Sequence, residues 1–328
     1  MTRTRSLATS LLSLSAAALL ALTAAGGATA APSASGDTDQ PSVTSAAVDG
    51  TGAADYWTED RMRNAIPGDV LAGKALERGN TSSAETVEKG PGVTVQGTKS
   101  KPALHQDEAP VSHIGKVFFT MGAYNYVCSG NAVASANKST VTTAGHCVNE
   151  GPGDFVTNFV FIPAYENGTA PYGKWTAEAL YAPTEWTTKG DMQYDTGFAV
   201  VSPVEGQYLS DVVGASGVAF NAARGLTYKA FGYPAASPFT GRTLVSCYGT
   251  ASADKRNRQF NSQGIPCDMT GGSSGGPWFI QGSSSETSGS NGLQNSINSY
   301  GYSSGSAVMY GPYWGTVIQQ TYTSAAAS

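Results

Sequence analysis

The sequence predicts an all-β domain that begins near residue 111. From there to the C-terminus, short runs rich in β-branched and aromatic residues recur, separated by Gly, Asn, Pro and Ser. The clearest runs are KVFFTM, NFVFIP, TGFAVV, GVAFN, TYKAFGY and TLVSCY. We find no long segment with a helical period in this region. Short strands at regular spacing are typical of a sandwich or a barrel, and about 215 residues are enough for two small barrels.

The composition argues against polyanionic partners. The chain has 328 residues, a formal net charge of −5 and 13% charged residues. This balance gives no strong attraction to nucleic acid or to an anionic membrane. We therefore expect no nucleic-acid partner, and no membrane partner for the mature chain. The length suggests one or two domains, and we expect a monomer.

The first residues have the pattern of a secretory signal peptide, residues 1–30. Arg3 and Arg5 provide a positive start, and an apolar stretch of Leu, Ala and Ser continues through Leu22. Small residues precede a cleavage site that we place after Ala30. A membrane anchor is the alternative, but the apolar stretch is short and interrupted by Ser. The pattern predicts export to the extracellular space.

Residues 31–110 differ from the β-rich part in having few large apolar residues. Asp55–Gly79 could hold one or two short helices broken at Pro67, although Thr58 followed by Arg61 is not a capping box. The remainder is typical of a linker. In an exported chain we expect this segment to be a propeptide, with a tail of no function as the alternative.

The cysteines are four in number: Cys128, Cys147, Cys247 and Cys267. An even number in an exported chain predicts two disulfides, for which three pairings are possible. We favour nearest neighbours, Cys128 with Cys147 and Cys247 with Cys267, each closing a loop worth about 3 kcal/mol. A zinc site is the alternative to disulfides, but no C-x-x-C spacing is present, so we expect no metal site.

One of the three histidines is a candidate catalytic base. His105 and His113 lie near the boundary of the predicted propeptide, whereas His146 follows an apolar run in VTTAGHCV. Small residues before His146 leave room for its ring, and a disulfide at Cys147 would hold the backbone. A purely structural histidine is the alternative, and we favour catalysis.

A catalytic histidine needs a carboxylate that orients its ring. Asp195, in QYDTGFAVV, lies at the edge of a run that must be buried, where an unpaired carboxylate would be costly. Asp191, four residues earlier in a polar turn, is the surface alternative. We therefore predict that Asp195 pairs with His146.

The stretch GGSSGGP supplies the candidate nucleophile, Ser274. A flexible linker does not fit this stretch, because Cys267 precedes it and the apolar PWFI follows it. Glycines allow a sharp turn in which the N–H groups of Gly272 and Ser274 face an oxyanion, each contributing about 3–4 kcal/mol. Ser274 would attack while His146 takes its proton. Ser273 is the neighbouring alternative.

The motifs TAGHC, YDTGFAVV and GSSGGP, in that order, resemble the chymotrypsin-fold serine peptidases over about residues 112 to 320. The resemblance implies two six-stranded antiparallel β-barrels, which we place at about 111–210 and 211–328. It implies that His146 and Asp195 come from the first barrel and Ser274 from the second. It also supports the pairing of the first two cysteines.

Further motifs resemble the substrate-binding parts of this family. NSYG resembles the strand that pairs with substrate backbone, which implies roles for Ser299, Tyr300 and Gly301. YD-x-G and D-x-x-GG-x-SG resemble bacterial secreted glutamyl endopeptidases. Asp268 stands where trypsin-like members have the acid of the specificity pocket, so it is either a pocket base or a loop carboxylate.

Two positions depart from the family patterns. Asn298 stands where glutamyl endopeptidases carry a histidine that binds the substrate carboxylate, and an amide lacks its charge. Ser273 replaces the aspartate that binds the new N-terminus in the trypsin group. We expect neither strict glutamyl specificity nor activation through that ion pair.

The sequence thus predicts a secreted serine endopeptidase, made with a signal and a propeptide, that cleaves protein or peptide substrates without a cofactor. One alternative is an inactive binding protein of the same fold. Another is an esterase, since Gly272–Gly276 fits G-x-S-x-G, although that elbow requires a helix after the serine.

Overall fold

A computed structural model describes residues 42–79, 90–95, 109–282, 289–302 and 307–328. The strands are β1 (Val43–Ala47), β2 (Ile66–Pro67), β3 (Val93–Val95), β4 (Ile114–Met121), β5 (Tyr124–Val133), β6 (Thr140–Thr143), β7 (Thr157–Pro163), β8 (Trp175–Pro183), β9 (Gly197–Val201), β10 (Val218–Phe220), β11 (Thr227–Gly232), β12 (Val245–Thr250), β13 (Ser252–Ala253), β14 (Gln263–Pro266), β15 (Pro277–Ile280), β16 (Gln294–Ile297) and β17 (Val308–Gly311). The helices are α1 (Ala53–Tyr56), α2 (Glu59–Arg63), α3 (Asp69–Gly79), α4 (Thr184–Lys189), α5 (Leu209–Val213) and α6 (Thr316–Ala327). The predicted all-β class is confirmed.

The first lobe is a closed barrel of six antiparallel strands. Its strands pair in the order β8-β7-β4-β5-β6-β9, and β9 pairs back with β8. Large apolar side chains from these strands fill the interior, namely Val117, Phe119, Val141, Phe161, Leu180 and Phe198. Closure leaves no free edge among these six strands and provides a rigid support for the loops at the barrel ends.

The second lobe is built from two sheets. One has the order β12-β11-β15-β16-β10-β3 and the other the order β13-β14-β17. Side chains from both, including Tyr228, Ile265, Trp278 and Met309, form one shared core. The disulfide between Cys247 and Cys267 links β12 to the residue after β14. The predicted second barrel therefore occurs in the described residues as two packed sheets.

All six runs identified in the sequence contain strands. They correspond to β4, β7, β9, β10, β11 and β12. Both disulfides also have the predicted nearest-neighbour pairing, since Cys128 is bonded to Cys147 and Cys247 to Cys267. Local hydrophobic pattern and cysteine spacing were sufficient for these features.

The segment before the barrel is more ordered than a linker in its described parts. β1 pairs with β8, β2 pairs with β5, and β3 pairs with β10. Helices occur on both sides of Pro67, as predicted. Thr58 caps α2 without a capping box, because its Oγ1 accepts a hydrogen bond from the Arg61 N–H at 3.3 Å.

The C-terminal helix was not predicted. α6 buries Ile318, Thr321, Tyr322, Ala325 and Ala326, which is one face of a helix. Three of these five residues are Ala or Thr, so the face is weakly apolar and its periodicity is hard to recognise. No helix in the described ranges is long and apolar enough to cross a membrane.

Candidate active site

The first barrel holds His146 beside Asp195. β6 runs into a 3₁₀ turn, Gly145–Cys147, that carries the histidine at its centre. The Nδ1 atom of His146 is 2.8 Å from Asp195 Oδ2, and the backbone N–H of His146 donates to Oδ1, also at 2.8 Å. The carboxylate therefore orients both the ring and the backbone that carries it.

Asp195 is fully buried, and its hydrogen bonds compensate for the loss of water. Besides the two groups of His146, the Ser299 hydroxyl donates to Oδ2 at 2.5 Å. A buried carboxylate without such donors would be costly. Because the carboxylate accepts from Nδ1–H, the Nε2 atom of a neutral ring is left as the proton acceptor.

Small residues make this pairing possible. A Cβ at Gly145 would lie 2.9 Å from Asp195 Oδ1 and 3.0 Å from the Trp186 ring. Only glycine fits between the carboxylate and the indole. Cys147 then ties the turn to β5 through its bond to Cys128.

Asp191 has a different role from Asp195. Its side chain caps the next 3₁₀ turn, Met192–Tyr194, by accepting from the Gln193 N–H at 3.0 Å. Of the histidines, His113 is buried elsewhere, with Nδ1 2.7 Å from Asn131 Oδ1. His105 lies outside the described residues.

The loop that carries Ser274 is shaped by two glycines with positive φ. Gly272 has φ +94° and Gly275 has φ +81°. A Cβ at Gly275 would be 2.2 Å from Thr143 Oγ1 and 2.7 Å from the Ala144 nitrogen. The loop thus packs against the residues that lead directly into His146, which brings the serine and histidine segments together.

Hydrogen bonds fix the ends of this loop. The Gly271 carbonyl accepts from the N–H groups of Ala235 at 2.6 Å and Ala236 at 3.1 Å, and the Ser274 carbonyl accepts from Ser129 N–H at 2.7 Å. Strand β15 follows at Pro277. A strand after the serine does not fit the strand-to-helix elbow of the esterase alternative.

Three groups that could take part in catalysis near Ser274 are available for substrate. Within the described ranges, the N–H groups of Gly272 and Ser274 have no hydrogen-bond partner. His146 Nε2 is buried and also has none in that part of the chain. Ser273, by contrast, donates its hydroxyl to the Thr270 carbonyl at 2.8 Å. Hydrogen bonds of a catalytic site often form fully only with substrate bound.

A cavity of about 520 Å³ adjoins Ser274, and Ser299–Gly301 form part of its wall. Within this part of the wall, Tyr300 exchanges backbone hydrogen bonds with Tyr310, and the Ser299 N–H also donates to the Tyr310 carbonyl. The Ser299 carbonyl and both backbone groups of Gly301 have no partner among the described residues. These three groups can accept an added substrate strand.

Asp268 and Asn298 occupy very different environments. Asp268 is exposed at the cavity wall and is therefore not a buried pocket base. Asn298 is fully buried: its amide N–H groups donate to Phe231 and Ser273 carbonyls, and its Oδ1 accepts from Trp278 Nε1. Its amide thus braces the serine loop and leaves no N–H for a substrate carboxylate. This corrects the predicted place of Asn298 in the substrate site.

Asp254, which sequence analysis missed, supports the segment that contains Ser299, Tyr300 and Gly301. It is buried, and its Oδ2 accepts from the hydroxyls of Tyr300 at 2.9 Å and Tyr302 at 2.6 Å. Oδ1 accepts from the Arg256 N–H at 2.8 Å. Its surroundings in the sequence, SADKRNR, are charged and suggest only a surface turn.

Lys116 is a second unpredicted feature near the serine loop. It is buried, donates to the Gly241 carbonyl at 2.8 Å and lies over the Tyr165 ring, with Nζ 4.5 Å from its centroid. Burial lowers the pKa of Lys116 to about 7. The Gly241 N–H in turn donates to the Pro234 carbonyl. Pro234 directly precedes Ala235 and Ala236, whose N–H groups hold the Gly271 carbonyl.

Two solved structures resemble the chain over nearly their whole length. The protease Anisep from Arthrobacter nicotinovorans is 70% identical with a TM-score of 0.64, covering 67% of this chain and 98% of its own. A thermostable serine protease, AL20, from an extremophilic microorganism is 50% identical with a TM-score of 0.63, covering 66% and 98%. The chain belongs to the chymotrypsin-fold serine peptidases. A Glu endopeptidase in complex with MPD, 21% identical with a TM-score of 0.52 over 70% of this chain and 96% of its own, shares the fold.

No family model matches the sequence. A curated relative, an extracellular metalloprotease of Bacillus subtilis (strain 168), is 33% identical over 72 residues, and this chain spans 22% of its length. In the described part of the present peptidase, Cys128, His146 and Cys147 form the one cluster with metal-ligand spacing. Both sulfurs are in a disulfide and so are not thiolate ligands.

Proposed function

We propose that the chain is a secreted serine endopeptidase with Ser274 as nucleophile, His146 as general base and Asp195 as its orienting carboxylate. The observation that carries this proposal is the buried His146–Asp195 pair. The Nε2 atom of His146 has no partner in the described residues, and the Ser274 loop packs against the residues just before His146. Membership of the serine peptidase family supplies the reaction class.

The chemistry would proceed through an acyl-enzyme. His146 Nε2 takes the Ser274 proton as the oxygen attacks the peptide carbonyl, and the N–H groups of Gly272 and Ser274 stabilise the oxyanion. The protonated ring then donates its proton to the leaving amine. A water molecule, activated by the same ring, hydrolyses the ester and regenerates the serine.

Protein or peptide substrates would bind by strand addition. The Ser299 carbonyl and the backbone groups of Gly301, which have no partner in the described part of the chain, are suitable partners for an extended peptide. Asp268 faces the same cavity and would favour a cationic side chain there. Because it is exposed, water weakens this preference relative to that of a buried acid.

Secretion and synthesis as a pre-proenzyme complete the proposal. Two disulfides suit an oxidising environment outside the cytosol. The candidate signal, residues 1–30, lies outside the described residues. The described parts of residues 31–110 would be removed on maturation.

Labelling with a fluorophosphonate tests the nucleophile. The processed wild-type protein should be labelled and should cleave a peptide library, whereas S274A should do neither. S273A is the matched control and should still be labelled, because its hydroxyl is directed to Thr270. Labelling of folded S274A would refute the assignment. A wild-type protein that is neither labelled nor active would favour the inactive binding protein.

A further inference from the structure

The N-terminal segment reaches into the cleft beside Ser274. α3 lines the same cavity as the serine through Asp69, Ala72, Gly73 and Leu76. Ser299 and Gly301, the proposed backbone partners of substrate, line this cavity too. A substrate chain added to them would have to pass through the space beside α3.

Before α3, the segment is anchored on the first barrel next to the disulfide. Ile66 and Pro67 pair in parallel with Tyr126 and Val127, and the Gly68 N–H donates to the Val127 carbonyl at 2.9 Å. A Cβ at Gly68 would lie 2.5 Å from Cys128 Sγ. Because that sulfur is cross-linked, only glycine can occupy this position without displacing the segment.

Asp69 lies at the serine loop itself. A Cβ at Gly271 would be 2.0 Å from the Asp69 Oδ1 atom, so the carboxylate packs directly on the residue preceding Gly272. Burial raises the pKa of this carboxyl group above its ordinary value, and the charge of His146 offsets part of that rise.

The rest of α3 is held by apolar burial. Leu71, Ala72 and Ala75 are at most 4% exposed and belong to the same core cluster as Met192 and Tyr300. An α-helix cannot form the backbone hydrogen bonds with Ser299 and Gly301 that an extended peptide would form. The segment thus occupies one side of the cleft without presenting a peptide bond in the geometry of a substrate.

We infer that Ile66–Gly79 is an intramolecular ligand of the substrate cleft that keeps the unprocessed chain inactive. This inference rests on the proposed peptidase function. The segment is seated at Gly68 and contacts the serine loop through Asp69. Its helix α3 lines the same cavity as Ser299 and Gly301. Removal of the segment would open the cleft. Activation in this way does not need the ion pair between an aspartate and the new N-terminus of the trypsin group, which Ser273 cannot form.

Two Gly→Ala substitutions test this inference in opposite directions. G68A places a methyl group against the disulfide and should unseat the segment. G73A has open space around its new Cβ and strengthens α3, because glycine destabilises a helix relative to alanine by about 1 kcal/mol. L76E, which adds a charge at the cavity wall, is a second unseating variant. E77A, on the exposed face, is the control.

The measurement is the fluorophosphonate labelling rate of the full chain, read in a gel that separates unprocessed from processed protein. We expect wild-type precursor to be labelled at least ten times more slowly than processed protein. G68A and L76E should raise the precursor rate at least tenfold, G73A should lower it about fivefold, and E77A should leave it unchanged. Rates of the processed forms should be identical, since cleavage removes the substituted positions.

The outcomes separate the two proposals. If processed protein is labelled and wild-type precursor is labelled equally fast, the inhibitory role of Ile66–Gly79 is refuted while the peptidase assignment stands. Precursor rates that do not change in L76E and G73A would also refute it, even if G68A fails to fold. If neither form is labelled, the proposed function itself fails.

Discussion

The hydroxyl of Ser299 donates to Oδ2 of Asp195 at 2.5 Å, and this oxygen also faces His146 Nδ1. Ser299 belongs to the segment after β16 that we propose as the partner of substrate backbone, and its carbonyl has no partner among the described residues. One residue therefore joins the proposed substrate strand of the second lobe to the buried carboxylate of the first. In the proposed mechanism, substrate binding and orientation of the histidine depend on the same contact between the lobes.

Replacing Ser299 by alanine should slow catalysis. The substitution removes one of three donors to a buried carboxylate, and a hydrogen bond to a charged group is worth about 1.5–3 kcal/mol. We expect kcat/KM to fall about tenfold or more. S296A is a matched control, because that buried hydroxyl donates to the Pro312 carbonyl instead. Equal kcat/KM values for S299A and wild type would contradict this role.

D254N should weaken substrate binding more than it slows turnover. The carboxylate accepts hydrogen bonds at both oxygens, with the Tyr300 and Tyr302 hydroxyls at Oδ2 and the Arg256 N–H at Oδ1. Asn has only one acceptor oxygen, so its amide N–H₂ group must face donors on one of these two sides. Loss of about 1 kcal/mol in the orientation of the substrate strand would raise KM about fivefold with little change in kcat. Y302F, which removes a single donor, should show a smaller rise. A fall in kcat at constant KM would argue against this account.

Lys116 should make stability depend on pH. Its pKa is about 7 in the folded protein, below the ordinary value of 10.5, so the unfolded chain binds more protons between these pH values. Wild-type stability should therefore rise with pH relative to K116M, by at most about 1.4 kcal/mol per pH unit between about pH 7 and 10.5.

This prediction is checked by urea unfolding at pH 6 to 10 in an S274A background, which prevents self-digestion. The advantage of K116M over the parent should be greatest below about pH 7 and should shrink as pH rises. K255M, at an exposed lysine, is the control and should show no such trend. A constant difference between K116M and its parent across this range would disprove the shifted titration.

Removal of the second disulfide should destabilise the chain. Cys247 and Cys267 are separated by 20 residues, and the double variant C247A/C267A should lose about 3 kcal/mol of unfolding free energy. Urea unfolding gives this value, and thiol titration verifies that Cys128 and Cys147 stay bonded. A loss below about 1 kcal/mol would show that strand packing alone holds β12 and β14 together.

Much of the fold was accessible from local sequence pattern. The six strand-containing runs were located by their β-branched and aromatic residues and by the Gly, Asn, Pro and Ser between them, because the former favour strands and the latter favour turns. Cysteine spacing indicated both disulfides. The helix α6 escaped notice because Ala and Thr make its buried face, and β1 because it is short and only partly buried.

By itself, the sequence determined the chemical groups: an imidazole between small residues, a carboxylate at the edge of an apolar run, and a hydroxyl in a glycine-rich turn. Tertiary structure alone decided which neighbours those groups meet. It buried Asn298 against the serine loop, joined Ser299 to Asp195 and placed α3 at the wall of the cleft. These contacts link residues 25 to more than 100 positions apart, so they depend on how the lobes pack, which local propensity does not encode.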